Sequence, residues 1–201
     1  MEGGFRLRAA PLAGPPTSSR KPFEPNTMSR HHPSDPLSIL FVCLGNICRS
    51  PLAEGIFLHL LQSRGLEDAF EVDSAGTGAW HVGEPPDARA RAVARKNGIE
   101  LRGRARQVEP EDLDRFDLLL AMDGDNHRNL VSLADGREGR AEIRRLREFD
   151  PETDGDLDVP DPYHGGPEGF DRVFEMVHRS CDRLLDELVS EGGAPQAGPG
   201  R

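Results

Sequence analysis

The chain of 201 residues has little of several things. Cysteine occurs three times (Cys43, Cys48, Cys181), a count too low and too odd for a disulfide framework, which points to a reducing cytoplasm. Tryptophan and tyrosine occur once each, as Trp80 and Tyr163, and lysine only as Lys21 and Lys96. No apolar run approaches the roughly 18 residues that a membrane-spanning helix needs. No apolar stretch of a signal peptide follows the first arginines, so export has no support. Positive charge is the scarcer sign: 25 bases face 35 acids, for a formal net charge of -10. Most of such a surface repels a phosphate backbone, so nucleic acid is excluded as a partner, and a membrane is not expected either. Neither HExxH nor CxxC pairing occurs, so no metal site and no cofactor is expected.

What remains is a globular composition, 36% apolar and 30% charged, at a length that suits one domain. The ends differ from the middle. Residues 1–36 are rich in Pro, Gly, Ser and Arg without a hydrophobic period and are expected to be disordered, as is the tail 191–201. Neither offers enough apolar surface to offset its ordering entropy. Met28 lies just ahead of the first ordered pattern and is a candidate start. Residues 37–190 form the expected folded domain, with a net charge near -12.

Within that domain strands and helices alternate. LSILFVC (37–43) reads as a buried parallel strand running into a Gly-containing turn. Pro51 then sits in the first turn of a helix whose Leu52, Ile56 and Leu60 share a face and whose stop is Gly65. Residues 69–76 give a second strand and 86–98 an Arg-rich helix. A third buried strand covers 116–122, and a helix follows over 126–133 with Asp125 as its cap. A weak fourth strand is expected at 143–146, a loop at 150–169, and a long amphipathic helix over 170–189 that buries Cys181. The alternation implies an α/β fold: a three-layer sandwich in which a four-stranded parallel sheet carries helices on both faces. Ligands of such sheets bind beyond the carboxyl ends of the strands.

The chemistry sits where the first strand stops, in Cys43-Leu44-Gly45-Asn46-Ile47-Cys48-Arg49-Ser50-Pro51. A Cys followed six positions later by Arg proves little in a chain this rich in arginine. The context makes it specific. The Cys ends a buried strand, the Arg opens a helix, and short residues between them let successive N–H groups turn inward as a phosphate-binding loop, aided by the helix dipole. Such a nest also favours a sulfur anion, and the Ser50 hydroxyl can donate to it. Arg49 can grip two phosphate oxygens with its fork. A general acid is also required, and the late loop offers Asp150, Asp154, Asp156, Asp158 and Asp161 without distinguishing among them.

CLGNICRSP resembles the signature loop of the low-molecular-weight protein-tyrosine phosphatases. The likeness extends over residues 37–190 through DSAGT (73–77), AWHVGEPPD (79–87), FDLLLAMD (116–123) and Asp161-Pro162-Tyr163. The resemblance implies catalytic roles for three residues: Cys43 as the nucleophile that becomes a cysteinyl-phosphate, Arg49 as the phosphate clamp, and Asp161 as the general acid. It implies that Leu44, Gly45, Asn46, Ile47, Cys48 and Ser50 surround the phosphate, that Asn46 holds the loop's strained shape, and that Trp80 and Tyr163 line the pocket rim. Cys48 would pair with Cys43 under oxidation. The expected substrate is a phosphotyrosine protein, a tyrosine kinase among the candidates.

Two relatives on the same fold are the alternatives: protein-arginine phosphatases and thioredoxin-coupled arsenate reductases. The first tend to carry Thr where this chain has Ile47; the second need downstream cysteines, and only Cys181 is present. The sequence departs from some family members at His164, where they have a second Tyr, and at Gly103, which stands in place of a His.

Overall fold

The computed structural model describes residues 35–137, 139 and 141–192. The expected disorder of the two ends and the start at Met28 fall outside the described residues, except for Asp35, Pro36, Glu191 and Gly192. The sheet is built from β1 (Leu37–Cys43), β2 (Phe70–Gly76), β3 (Leu118–Ala121) and β4 (Glu142–Arg145). All pairings are parallel and the order is β2-β1-β3-β4. The helices are α1 (Arg49–Arg64), α2 (Ala88–Lys96), α3 (Asp112–Arg115), α4 (Gly124–Ala134) and α5 (Pro167–Gly192).

β1 is central because its side chains are apolar on both faces, and a strand alternates its faces residue by residue. Ile39, Phe41 and Cys43 join a core with Leu52 and Ile56 of α1, Val93 of α2 and Val177 and Leu184 of α5. Leu40 and Val42 point the other way, onto Leu113 of α3 and Leu130 of α4. Two apolar layers thus sandwich the sheet, as expected of the α/β alternation.

Local signals set most of the ends. Gly65, at φ 65°, closes α1, with the Leu66 N–H bonded to the Leu61 carbonyl at 3.0 Å. α1 opens two residues before Pro51, at Arg49 itself. α2 is shorter than expected, because Asp87 caps it by accepting the Arg89 N–H and the chain before that is Pro85-Pro86. β3 loses Phe116, Asp117 and Met122 from the expected strand, although Phe116 and Met122 are fully buried. α4 corrects the cap at Asp125: Asp123 takes that place, accepting the Asn126 N–H at 2.7 Å. The four-residue α3 and the 3-10 turn Leu146–Phe149 are too short to leave a period in the sequence.

Candidate active site

At the carboxyl end of β1 the chain turns through residues 44–48 and enters α1. Asn46, at φ 53°, is the one non-glycine with positive φ among the described residues. That conformation is strained for most side chains but tolerated by Asn. Its carboxamide is held on three sides. Nδ2 donates to Ser50 Oγ at 2.9 Å and to Ser74 Oγ at 2.8 Å, and Oδ1 accepts the Arg106 N–H at 2.9 Å. The loop also lies directly on Gly76 of β2. A Cβ there would come within 2.8 Å of the Leu44 carbonyl oxygen and 3.1 Å of the Asn46 nitrogen, so the close approach requires glycine.

The Cys43 sulfur is buried among donors. The Asn46 N–H donates to Sγ at 3.2 Å and Ser50 Oγ lies 3.0 Å away. Ser50 already accepts from Asn46, so its own proton is left to reach either the sulfur or the Ala75 carbonyl at 3.3 Å. No side chain caps α1, so the first N–H groups of this helix keep their capacity for an anion. Cys48, in the same loop, is 4% exposed. Burial pushes its thiol up to about 12, helped by the charges of Asp87, Cys43 and Asp161, so it is protonated at neutral pH.

Arg49 is almost as buried as the sulfur. Its Nη1 donates to Asp123 Oδ2 at 2.6 Å and to the Val159 carbonyl at 3.0 Å, and its Nη2 donates to Asp161 Oδ2 at 3.0 Å. Burial alone would pull the guanidinium down. The negative charges of a Cys43 thiolate and of Asp161, with the bond to Asp123, hold it above its ordinary value instead. Asp161 sits on the exposed late loop, its side chain 40% accessible, and its Oδ1 accepts the Tyr163 N–H at 3.1 Å. Arg89, at the start of α2, lies 5.5 Å over the Tyr163 ring and donates to the Tyr163 carbonyl at 3.0 Å.

These groups close a cavity of about 190 Å³. Cys43, Gly45, Ile47, Cys48 and Arg49 line its more buried side, and Leu44, Trp80, His81, Asp161, Tyr163 and His164 its more exposed side. All but two of the residues singled out in the sequence line it. Asn46 and Ser50 do not line the cavity but touch the Cys43 sulfur directly. Trp80 is not a core aromatic: it is 74% exposed, its ring lying across Gly78. Cys181 is fully buried on α5. A wider groove of about 440 Å³ between α1, α2 and α5, lined by His59, Lys96, Phe174 and His178 among others, contains none of the residues singled out. Among the described residues no group of three His, Cys, Asp or Glu side chains is placed to hold a metal.

Sequence reasoning assigned no role to Asp123, Ser74, His81 or Arg89. Asp123 carried a signal, since it stands three residues before Asn126 as an N-cap does.

A central parallel strand that delivers a buried thiol to a loop closed by a buried guanidinium defines a class of proteins that act on oxyanions through cysteine. The chain belongs to the low molecular weight phosphotyrosine protein phosphatase family, whose sequence model matches residues 38–194. It is 45% identical over 157 residues to the low molecular weight protein-tyrosine-phosphatase YfkJ of Bacillus subtilis, covering 77% of this chain and 97% of that one. It is 46% identical over 164 residues to low molecular weight protein-tyrosine phosphatase A of Mycobacterium tuberculosis, covering 80% and 98%. Among solved structures, the drosophila arginine phosphatase DARP matches with a TM-score of 0.72 at 34% identity, over 76% of this chain and 98% of that one.

Proposed function

We propose that this protein hydrolyses phosphotyrosine in proteins, and aryl phosphates generally, through a cysteinyl-phosphate on Cys43 and without a metal. The observation that carries this reading is the convergence of Cys43 Sγ, the Arg49 fork and the Asp161 carboxyl on one small cavity. The Cys43 thiolate attacks phosphorus, the bond to the phenolic oxygen breaks, and Asp161 in its protonated form gives that oxygen its proton. Water then attacks the thiophosphate, Asp161 takes the water's proton, and phosphate leaves as the thiolate reforms. Loop N–H groups and Arg49 stabilise the equatorial oxygens throughout. A bound phosphate takes the Nη2 donor that Asp161 now holds and so frees Asp161 to face the leaving group.

The exposed Trp80 and Tyr163 rings and the Leu44 side chain give the mouth flat apolar walls that suit a phenyl ring. Family membership and the names of the relatives support a phosphotyrosine protein as substrate, and a tyrosine kinase fits that description. Cys43 and Cys48 line one pocket, which favours the oxidative pairing between them. The arginine phosphatase reading gains from the likeness to DARP, while Ile47 and Tyr163 at this cavity favour the aryl substrate. The arsenate reductase reading has no relay, because the later Cys181 is fully buried.

The test is hydrolysis of p-nitrophenyl phosphate, phosphotyrosine peptide and phosphoarginine peptide at mildly acidic pH in the presence of a chelator. Turnover of the first two that vanadate inhibits is expected. Preference for phosphoarginine, or a need for added metal, overturns the reading.

A further inference from the structure

We propose that the basic face made by α2 and residues 98–106 docks acidic residues that flank the phosphotyrosine of a protein substrate. The inference rests on the reading of this chain as a phosphotyrosine phosphatase and says what else of the substrate it holds.

The chain is acidic, and its bases are not spread evenly. Residues 88–106 hold seven of the 25 against one acid, Glu100. Three of the seven are engaged inside the fold: Arg89 pairs with Asp87, Lys96 with Asp171, and Arg106 with Asp73 and Asp112. Arg91, Arg95 and Arg104 have no ion-pair partner among the described residues. Arg102, its side chain 86% exposed, reaches Glu100 only at 3.8 Å. Arg91 and Arg95 stand one turn apart on α2, where like charges repel. In a chain with 35 acids, cations left unpaired and side by side cost the fold stability and keep their field for a partner of opposite sign.

This face adjoins the cavity. The Asp87 N–H donates to the Ile47 carbonyl at 2.8 Å, which sets the start of α2 against the loop after β1. From the end of α2 the chain runs back to the cavity's exposed side. There the Gly83 N–H donates to the Ala105 carbonyl and the Ala105 N–H to the Glu84 carbonyl, both at 2.8 Å, and Arg104 Nη1 donates to the Gly83 carbonyl at 2.7 Å. Trp80 and His81, just ahead of Gly83, line the cavity itself. Glu84, the carboxylate at this edge, is bonded to His81 Nδ1 at 2.8 Å. Arg95 lies about 10 Å along α2 from its start, the reach of roughly three residues of extended peptide. Beyond Arg49 the sign reverses. A groove of about 360 Å³ beside α4, on the other face of the sheet, shares Leu44, Arg49 and Asp161 with the cavity and carries Asp123, Asp125 and Asp158. A substrate with its phosphotyrosine in the cavity thus meets attraction for acidic neighbours on the α2 side and repulsion on the other, which sets its direction as well as its composition.

The experiment measures kcat and KM of the full chain on phosphotyrosine peptides of equal length flanked by glutamates, alanines or arginines, with p-nitrophenyl phosphate as the unflanked control. The glutamate peptide is expected to exceed the alanine peptide about tenfold in kcat/KM, through KM rather than kcat, since each exposed pair contributes little and several act together. The advantage should shrink to about twofold or less in about 0.5 M salt. Arg95→Glu combined with Arg102→Glu and Arg104→Glu should place the arginine peptide above the glutamate peptide and leave p-nitrophenyl phosphate within about twofold of native. Arg95→Ala with Arg102→Ala, which keeps the Arg104 bond to Gly83, replaces that variant if it fails to fold and should cut the preference about threefold. Equal rates on the peptides, a preference that survives these substitutions, or one indifferent to salt would overturn the proposal. So would binding of the native chain to phosphatidylserine vesicles that the substitutions abolish while the peptide rates stay unchanged, which gives the face to a lipid surface. Failure of the native chain to turn over p-nitrophenyl phosphate sinks the phosphatase reading beneath; normal turnover there without discrimination among the peptides sinks only the docking face.

Discussion

The two loops that meet at the cavity are held by opposite means. The loop from Cys43 to Ser50 is short, mostly buried, and fixed from behind by the Asn46 carboxamide and the bare face of Gly76. The late loop, residues 150–166, is mostly exposed and is tied down by ion pairs and backbone contacts at a few points. Asp150 anchors its start: fully buried, it accepts from Arg147 at 3.3 Å and from Arg179 at 3.1 and 3.3 Å. Val159 donates to the Met122 carbonyl at 2.7 Å in its middle, and Arg89 holds the carbonyls of Tyr163 and Gly165 near its end. The difference teaches a division of labour. On the proposed mechanism, the sulfur that must attack in one geometry is set in a buried frame between strand and helix. On the same mechanism, the group that gives a proton and then takes one back rides on an exposed segment held at a few points.

Breaking the rigid loop should cost most. Cys43→Ser is expected to lose at least about 10⁴-fold in kcat while still binding phosphate, measured by turnover and by phosphate titration. Arg49→Lys keeps the charge but not the fork, and a loss of about 10²–10³ in kcat/KM is expected. Asp161→Asn tests the exposed loop. It should slow phenyl phosphate about 10²-fold or more and p-nitrophenyl phosphate far less, because a good leaving group needs no proton; equal slowing would place the acid elsewhere.

Asp150→Asn sharpens the comparison from the side of stability. It leaves two cations facing a neutral group, and a loss of about 3 kcal/mol in unfolding free energy is expected from denaturant titration. The pH dependence has a definite sign. Burial pushes the Asp150 carboxyl up, but the bonds from Arg179 and the Glu152 N–H, with the charges of Arg179 and Arg147, leave it below its usual value. The unfolded value is about 3.9, so this contribution is complete above that pH and is lost as acid takes the pH through the lower folded value. Thermal melts of the native chain should therefore steepen in their pH dependence below about pH 4, and Asp150→Asn should lack that part of the slope. Arg89→Ala should act least, by roughly threefold on kcat/KM, since it removes one exposed tether of several.

Much of this was legible in the sequence, and the boundary has a physical cause. The loop after the first strand could be read as a candidate site because cysteine, arginine and helix start are contiguous, and contiguous groups carry their geometry in the spacing. The parallel sheet could be read because β1 and β3 are apolar on both faces. Asp161 could not be told from four neighbouring aspartates without the family resemblance, since a turn aspartate looks the same whether or not it faces a pocket. Asp123, Ser74 and Arg89 were illegible for another reason. Their partners lie 74, 28 and 74 residues away in the chain, and no local pattern records a contact at that range.

The guanidinium of Arg49 is paired with Asp123 on one side and Asp161 on the other. A visiting chloride or acetate offers it a single negative charge, no more than Asp161 supplies from a fixed position. A phosphate dianion offers two charges in a shape that fits the fork. On the proposed function a monoanion gains little by displacing Asp161 from the fork, and the fork discriminates in favour of a phosphate dianion.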